Sequence, residues 1–388
     1  MSDDPLHLVD ATMFWSPTGG GVRRYLQTKQ AWLAGQAGWT HTIAVPTRAA
    51  ARIGEARLPA LPLPFSGGYR VPLRRRAVAD RLVALEPDLI EAGDPYVTAW
   101  AAVDAARRRR IPAVAYCHSN LESMARLVAG KRLGNAAARA ARAYARRVYG
   151  RFDCVFAPSE SMRRHLVDWG IEHAACQPLG VDGETFHPSR ASARWRERMG
   201  IAVDKRVLVF AGRFAPEKHL DVLATAIDRL GDPYLLLAIG SGPMPPPRSA
   251  RIRVLPFIAD ADELATALAS ADAFVHAGDQ ETFGLSVLEA MACGTPVVAR
   301  RAGGLAELVD PTVGIGVESG RAEAFAEAIE ALFALDRDAL RLAARTRAEA
   351  NDWERVLPAL LTQYRSVLQG TPTRDRLDAS QPTAAHGR

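Results

Sequence analysis

The chain has 388 residues, 48% of them hydrophobic and 24% charged, with a formal net charge of +6 and a pI near 9.3. That length accommodates two domains with separate cores, and the composition excludes fibrous and wholly disordered architectures. Asp3, Asp4 and Asp10 interrupt the amino end and no apolar run reaches about 18 residues, so a cytoplasmic protein without signal peptide or membrane-spanning helix is expected. Cys117, Cys154, Cys176 and Cys293 are widely separated, which argues against a zinc site or disulfide framework and fits buried, reduced thiols.

Strand-type runs occur at residues 6–10, 41–45, 88–91, 111–116 and 154–157, separated by stretches of helical periodicity. A second series follows at 206–211, 234–239, 252–255, 273–276 and 295–299. Strands alternating with helices require parallel sheets covered on both faces, so the fold class is α/β with two doubly wound, Rossmann-like domains. Residues 177–188, QPLGVDGETFHP, are rich in Gly and Pro and form the expected hinge, dividing the chain at 1–180 and 181–352. Residues 353–368 carry the apolar spacing of a helix, and 370–388 have the polar composition of a disordered tail.

Within the first half, Gly19, Gly20 and Gly21 follow a strand and precede a helix that carries Arg23 and Arg24. This is not the Gly-x-Gly-x-x-Gly fingerprint, and no acidic residue ends the next strand, so a dehydrogenase reading loses its support. His118 stands at the C-terminal edge of a strand, where open α/β sheets bind ligands. Residues 135–151 read as an Ala-rich basic helix with Arg139, Arg142 and Arg146 along one stripe, a pattern suited to an anionic membrane surface as well as to plain solvation. The basic runs lack interleaved aromatics and any nucleic-acid motif, so no nucleic-acid partner is expected.

The second half concentrates the chemistry. A strand runs into Arg213, with Lys218 five positions on, and two cations at a strand end suit a diphosphate. Further on, 273–276 is strand, 278–284 a glycine-bearing loop and 286–292 a helix stopped by Gly294. A helix N-terminus at that edge offers backbone N–H groups from Phe283, Gly284, Leu285 and Ser286 to a phosphate. Glu289, about one turn into the helix, can accept from a vicinal diol such as a ribose, and Glu281 lies ahead of it. Asp260-Ala261-Asp262 matches an Asp-x-Asp metal motif superficially, but Asp260 or Asp262 is better explained as a helix N-cap, and no metal is expected.

These segments together resemble the retaining GT-B glycosyltransferases of family 4 (glycosyl transferases group 1). The resemblance rests on Glu281-x7-Glu289, on Gly294-Thr295-Pro296-Val297-Val298 and Gly303-Gly304 after it, and on GRFAPEKHL from Gly212. Departures are Thr282 where Gly is usual, His219 where Gly is usual, and Leu179 in place of a linker Asn. The family implies a hexose of mannose or glucose type, carried by GDP or UDP, transferred to an acceptor hydroxyl of a lipid, glycan or small molecule. It implies catalytic roles for Glu281, His118, Arg213 and Lys218. It also implies donor contacts from Gly20, Gly21, Gly242, Phe257, Ile258, Phe283, Gly284, Leu285 and Glu289, with Ser159 and Glu160 near the cleft. No cofactor is implied beyond the nucleotide sugar as substrate, and the final helix is expected to cross back onto the first domain. A sugar-nucleotide epimerase or hydrolase of the same fold is the competing reading, and a binding module with a degenerate site is disfavoured because Glu281, Glu289, Arg213 and Lys218 are all present.

Overall fold

The computed structural model describes residues 4–16, 20–47, 52–63 and 68–370. The tail expected at 370–388 therefore falls, after Gly370, outside the described residues, as does Gly19. Two parallel sheets dominate. The first has the order Glu55–Arg57, Trp39–Val45, Leu6–Ala11, Leu89–Ala92, Ala113–Tyr116, Cys154–Ala157, Ala174–Cys176. The second has the order Ile252–Leu255, Tyr234–Ile239, Arg206–Ala211, Ala273–His276, Val297–Arg300, Gly314–Val317. In each, the strand order reverses beside the first strand, between Leu6–Ala11 and Leu89–Ala92 and between Arg206–Ala211 and Ala273–His276. Parallel strands that leave a switch point in opposite directions open a crevice at their C-terminal ends, and both sheets have one.

The period of two along each strand sends neighbouring side chains to opposite faces. Val9, Ile90 and Val155 pack one face of the first sheet, and Leu208, Phe210 and Leu236 one face of the second. The remaining faces share a third apolar cluster that takes in Leu8, Val207 and Val297 together with Trp353, Leu357, Leu360 and Leu361 of the final helix, Trp353–Leu368.

That helix lies on the first sheet's side of the molecule. Asp10 and Glu91 are register partners on adjacent strands, which sets two carboxylates side by side in the core. Lys29, from helix Gly21–Leu33, bonds Asp10 at 2.8 Å, Glu91 at 2.9 Å and the Tyr364 hydroxyl of the final helix at 3.0 Å. His41 adds a bond to Asp10 at 2.5 Å. Burial works against both carboxylates. At Asp10, Lys29 and His41 outweigh it and hold the carboxyl low, whereas at Glu91 burial prevails and pushes it up.

The expected hinge is tied to the returning chain. Val181 pairs with Asp352, Val181 donates its N–H to Asn351 at 2.9 Å, and Gly180 packs so closely on Trp353 that a Cβ there would lie 2.6 Å from the indole.

Several strands differ in their limits from the sequence reading. Pro112 has no N–H for the ladder, so the run expected from 111 pairs only from Ala113. Thr295 belongs to a Schellman turn: Gly294 donates to the Met291 carbonyl at 2.8 Å and Thr295 to Ala290 at 2.9 Å, and the strand begins at Val297. Gly314–Val317 was hidden by its glycines; a Cβ at Gly314 would sit 1.9 Å from the Val297 carbonyl oxygen.

Candidate active site

The second switch point brings the sequence candidates together from two directions. Strand Arg206–Ala211 delivers Arg213 and the short turn Pro216–Lys218, while strand Ala273–His276 delivers the loop that holds Glu281. Gly304 donates to the Glu281 carbonyl at 2.8 Å, and Gly303 and Gly304 lie so near the loop that a Cβ at either would clash with its backbone. The Gly-Gly turn thus fixes the Glu281 loop by close approach.

The Lys218 ammonium contacts Glu281 Oε1, and His276 Nε2 lies 3.1 Å from the same oxygen. Burial would raise the Glu281 carboxyl, but Lys218 and His276 outweigh it and hold it well below the usual carboxylate range. His276 is buried and was read from the sequence only as a strand end. Its signal was available: a histidine closing a switch-point strand, two residues before a glycine.

Arg213 is not brought to this cluster. Its guanidinium is 63% exposed and pairs with Glu217 at 2.7 Å, so the expected two-cation clamp appears as one inward lysine and one outward arginine. His219, in the family's usual glycine position, has φ +49° and bonds Asp279 at 3.3 Å, a contact that raises its pKa.

Gly284 caps helix Leu285–Ala292 with φ +104°, a left-handed conformation that glycine adopts without strain, and a Cβ there would meet Leu305 at 2.4 Å. Phe283 is buried below the helix start and Leu285 faces Gly21, whose own Cβ would lie 2.6 Å from Leu285 Cδ1. The Gly20-Gly21 turn and the helix start therefore touch across the cleft. Glu289 is buried, and Arg24 of the Gly21–Leu33 helix pairs with its Oε1. The expectation of a carboxylate open to a diol thus meets a guanidinium, which also stacks on Phe186 at 5.5 Å. Gly242 has φ +153° and abuts the Phe214 carbonyl, while Phe257 and Ile258 are partly exposed and partly buried at the adjoining strand end.

The facing wall carries His118. Its ring stacks on Tyr116 at 4.4 Å and 13°, with Tyr25 at 5.5 Å, and its buried Nε2 has no hydrogen-bond partner among the described residues. Burial, helped by the Lys29 charge, lowers its pKa to about 3. Thr282 donates to the His118 carbonyl at 3.1 Å and links the two walls. Ser159 caps the Glu160–Asp168 helix, and Glu307 accepts from the Glu160 and Ser161 amides at 2.9 and 2.5 Å, a second link that the sequence did not reveal. Between the walls lies a cavity of about 230 Å³ lined by Asn120, Ser159, Ser161, Glu281, Thr282 and Gly304 among others. Asp260 caps the Ala261–Ala269 helix by accepting from Glu263, and Asp262 pairs with Arg190, so the Asp-x-Asp carboxylates serve the helix and a surface ion pair.

Comparisons with known proteins bear on the family and the fold. Residues 19–184 match the model of Glycosyltransferase Family 4, and residues 191–350 match that of Glycosyl transferases group 1. The chain is 31% identical to the GDP-mannose-dependent alpha-(1-6)-phosphatidylinositol dimannoside mannosyltransferase of Mycobacterium tuberculosis, over 97% of this chain and 100% of that one. It is 33% identical to the GDP-mannose-dependent alpha-mannosyltransferase of Mycolicibacterium smegmatis over 74% of this chain and 76% of the relative. Among solved structures, sucrose-phosphate synthase from Thermosynechococcus elongatus superposes with a TM-score of 0.77 at 22% identity, covering 95% of this chain and 100% of that one. Anabaena HepE in complex with UDP and glucose gives 0.69 at 19% identity, covering 94% and 99%. The fold is that of the GT-B enzymes, and the chain belongs to the group 1 glycosyltransferases of family 4.

Proposed function

We propose that the protein is a retaining hexosyltransferase that moves mannose from GDP-mannose to a hydroxyl of a lipid-borne or glycan acceptor, without a metal ion. The observation that carries this reading is the convergence of Lys218, His276 and Glu281 at a switch point, beside the helix start at Gly284. The GDP-mannose donor rests on similarity to the mycobacterial mannosyltransferases.

Departure of the nucleoside diphosphate builds negative charge on its phosphate oxygens. Fixed donors aimed at that charge lower the barrier more than they stabilise the bound donor. Lys218 has three N–H groups on a flexible stem, so it can hold Glu281 and a diphosphate oxygen together. The amides at the start of helix Leu285–Ala292 add the positive end of a dipole. Arg213 swings from Glu217 to the same anion in this reading, and Glu289 exchanges Arg24 for the ribose diol. Glu281 orients the sugar and stabilises positive charge at its reacting carbon, while His118 lines the sugar from the facing wall. The acceptor attacks from the face the diphosphate leaves, and the departing phosphate oxygen takes the acceptor proton. No side chain is assigned as a covalent nucleophile.

Acceptors of this kind sit at membranes, and the basic stripe Arg139, Arg142 and Arg146 is proposed to rest on an anionic surface. All three arginines are exposed.

Thermal-shift measurement against GDP-mannose, GDP, UDP-glucose and UDP tests the donor, with the GDP pair expected to raise Tm. Lys218→Ala is expected to cut turnover of GDP-mannose at least 10-fold, about 1.4 kcal/mol, with a smaller change in donor affinity. Unchanged turnover in a folded variant would remove Lys218 from this role, and product formation from donor alone would favour an epimerase or hydrolase.

A further inference from the structure

Glu281 can orient a sugar only if its own carboxylate is held in one direction, and His276 lies against that carboxylate. Its Nδ1 accepts the Gly278 N–H at 3.1 Å. A ring nitrogen that accepts carries no proton, so the imidazole proton sits on Nε2, which lies 3.1 Å from Glu281 Oε1. Gly278 is built for this contact: a Cβ there would fall 2.7 Å from His276 Cε1 and 2.8 Å from the Glu217 carbonyl oxygen. The ring is 1% exposed at its side chain and packs on Phe210 at 5.6 Å between centroids. Backbone amide, imidazole and carboxylate thus form a chain from the end of strand Ala273–His276 into the cleft.

Lys218 meets the same oxygen, but an ammonium is a point charge on a mobile stem and sets no direction. A buried planar ring donating along one line does. Both donors meet Oε1 of the carboxylate.

We propose that His276 is a positioning residue for sugar transfer, locked by Gly278 as the Nε2–H tautomer and fixing the Glu281 carboxylate against the donor sugar. This rests on the role given to Glu281 above. It adds a specific element, because a His that only filled space would leave the orientation of Glu281 to Lys218.

Two measurements on the full chain test it. Nitrogen-15 NMR of the labelled protein reads the tautomer directly: a protonated Nε2 and bare Nδ1 on His276 are expected, and a protonated Nδ1 overturns the proposal. A double-mutant cycle with GDP release from GDP-mannose then reads the coupling. His276→Ala is expected to lower kcat about 10- to 100-fold, the size of a lost hydrogen bond to a charged group, with donor KM changed less than about 3-fold. His276→Gln, whose amide can donate to Glu281, is expected to recover most of that loss. In a Glu281→Gln background, His276→Ala should cost little more. Equal losses in both backgrounds, or a Gln variant no better than Ala while both stay folded, would overturn the positioning role. If Glu281→Gln itself leaves kcat unchanged, the reading of the donor site fails, and the tautomer measurement still decides the geometry of His276.

Discussion

His118, proposed above to line the sugar, also carries a stability signature. Its ring is packed between Tyr116 and Tyr25 with no partner for Nε2, and its pKa falls to about 3. The unfolded chain therefore takes up a proton near pH 6.5 that the folded chain refuses until about pH 3. Stability contributed by this site is complete above pH 6.5 and declines as the pH falls through that window. His118→Gln should flatten the acid-side fall of the denaturation midpoint between about pH 6.5 and 4, while lowering transfer activity through lost sugar contact. An identical pH slope in the two proteins would show that the ring is not the group responsible.

Among the elements, the basic helix is the one whose role is least fixed by its neighbours. Leu121–Tyr149 is interrupted at Gly130, where φ is +66° and ψ −176°. Val128 and Leu133 project on either side of that break, 82% and 66% exposed. Arg142 is within 3.5 Å of Glu122, and Arg146 packs over Gly170, so part of the stripe already has local work. Each arginine near an anionic surface contributes about 1 kcal/mol, so reversing Arg139, Arg142 and Arg146 to Glu should weaken binding to phosphatidylglycerol vesicles at low salt by at least 100-fold. A wild-type chain that fails to sediment with such vesicles would dispose of the membrane reading.

Elements were legible in proportion to how much local pattern they carried. Strands such as Tyr234–Ile239 and Cys154–Ala157, buried throughout, stand in the sequence with the limits found in the fold. Glu55–Arg57 and Ala174–Cys176 are three-residue edge strands whose extended form depends on a partner 12 or more positions away, and no local spacing marks them. The same distinction applies at the site. Glu281, Glu289 and Lys218 stood out because their spacing is contained within short segments. The Arg24–Glu289 and Glu307–Glu160 contacts join residues 265 and 147 positions apart, and only the packing of the two sheets brings them together.

At the scale of the whole molecule, the Lys29 cluster ties the final helix to the first sheet through the Tyr364 hydroxyl. Lys29→Met keeps the volume but leaves Asp10 and Glu91 adjacent and buried without their cation, a change that costs about 3–5 kcal/mol when one partner of a buried pair is lost. Chemical denaturation should show that loss. A variant as stable as the parent would mean that the two carboxylates are already neutral.

The same cluster bears on when folding can be completed during synthesis. Strands up to Ala174–Cys176 leave the ribosome first, yet the groups that complete their core, Leu357, Leu360, Leu361 and Tyr364, are translated nearly two hundred residues later. Until they arrive, Lys29 lacks the Tyr364 hydroxyl and one apolar face is bare. The second sheet, by contrast, is encoded in one uninterrupted stretch. The amino-terminal half therefore waits, with that face bare, for a helix encoded after the second sheet.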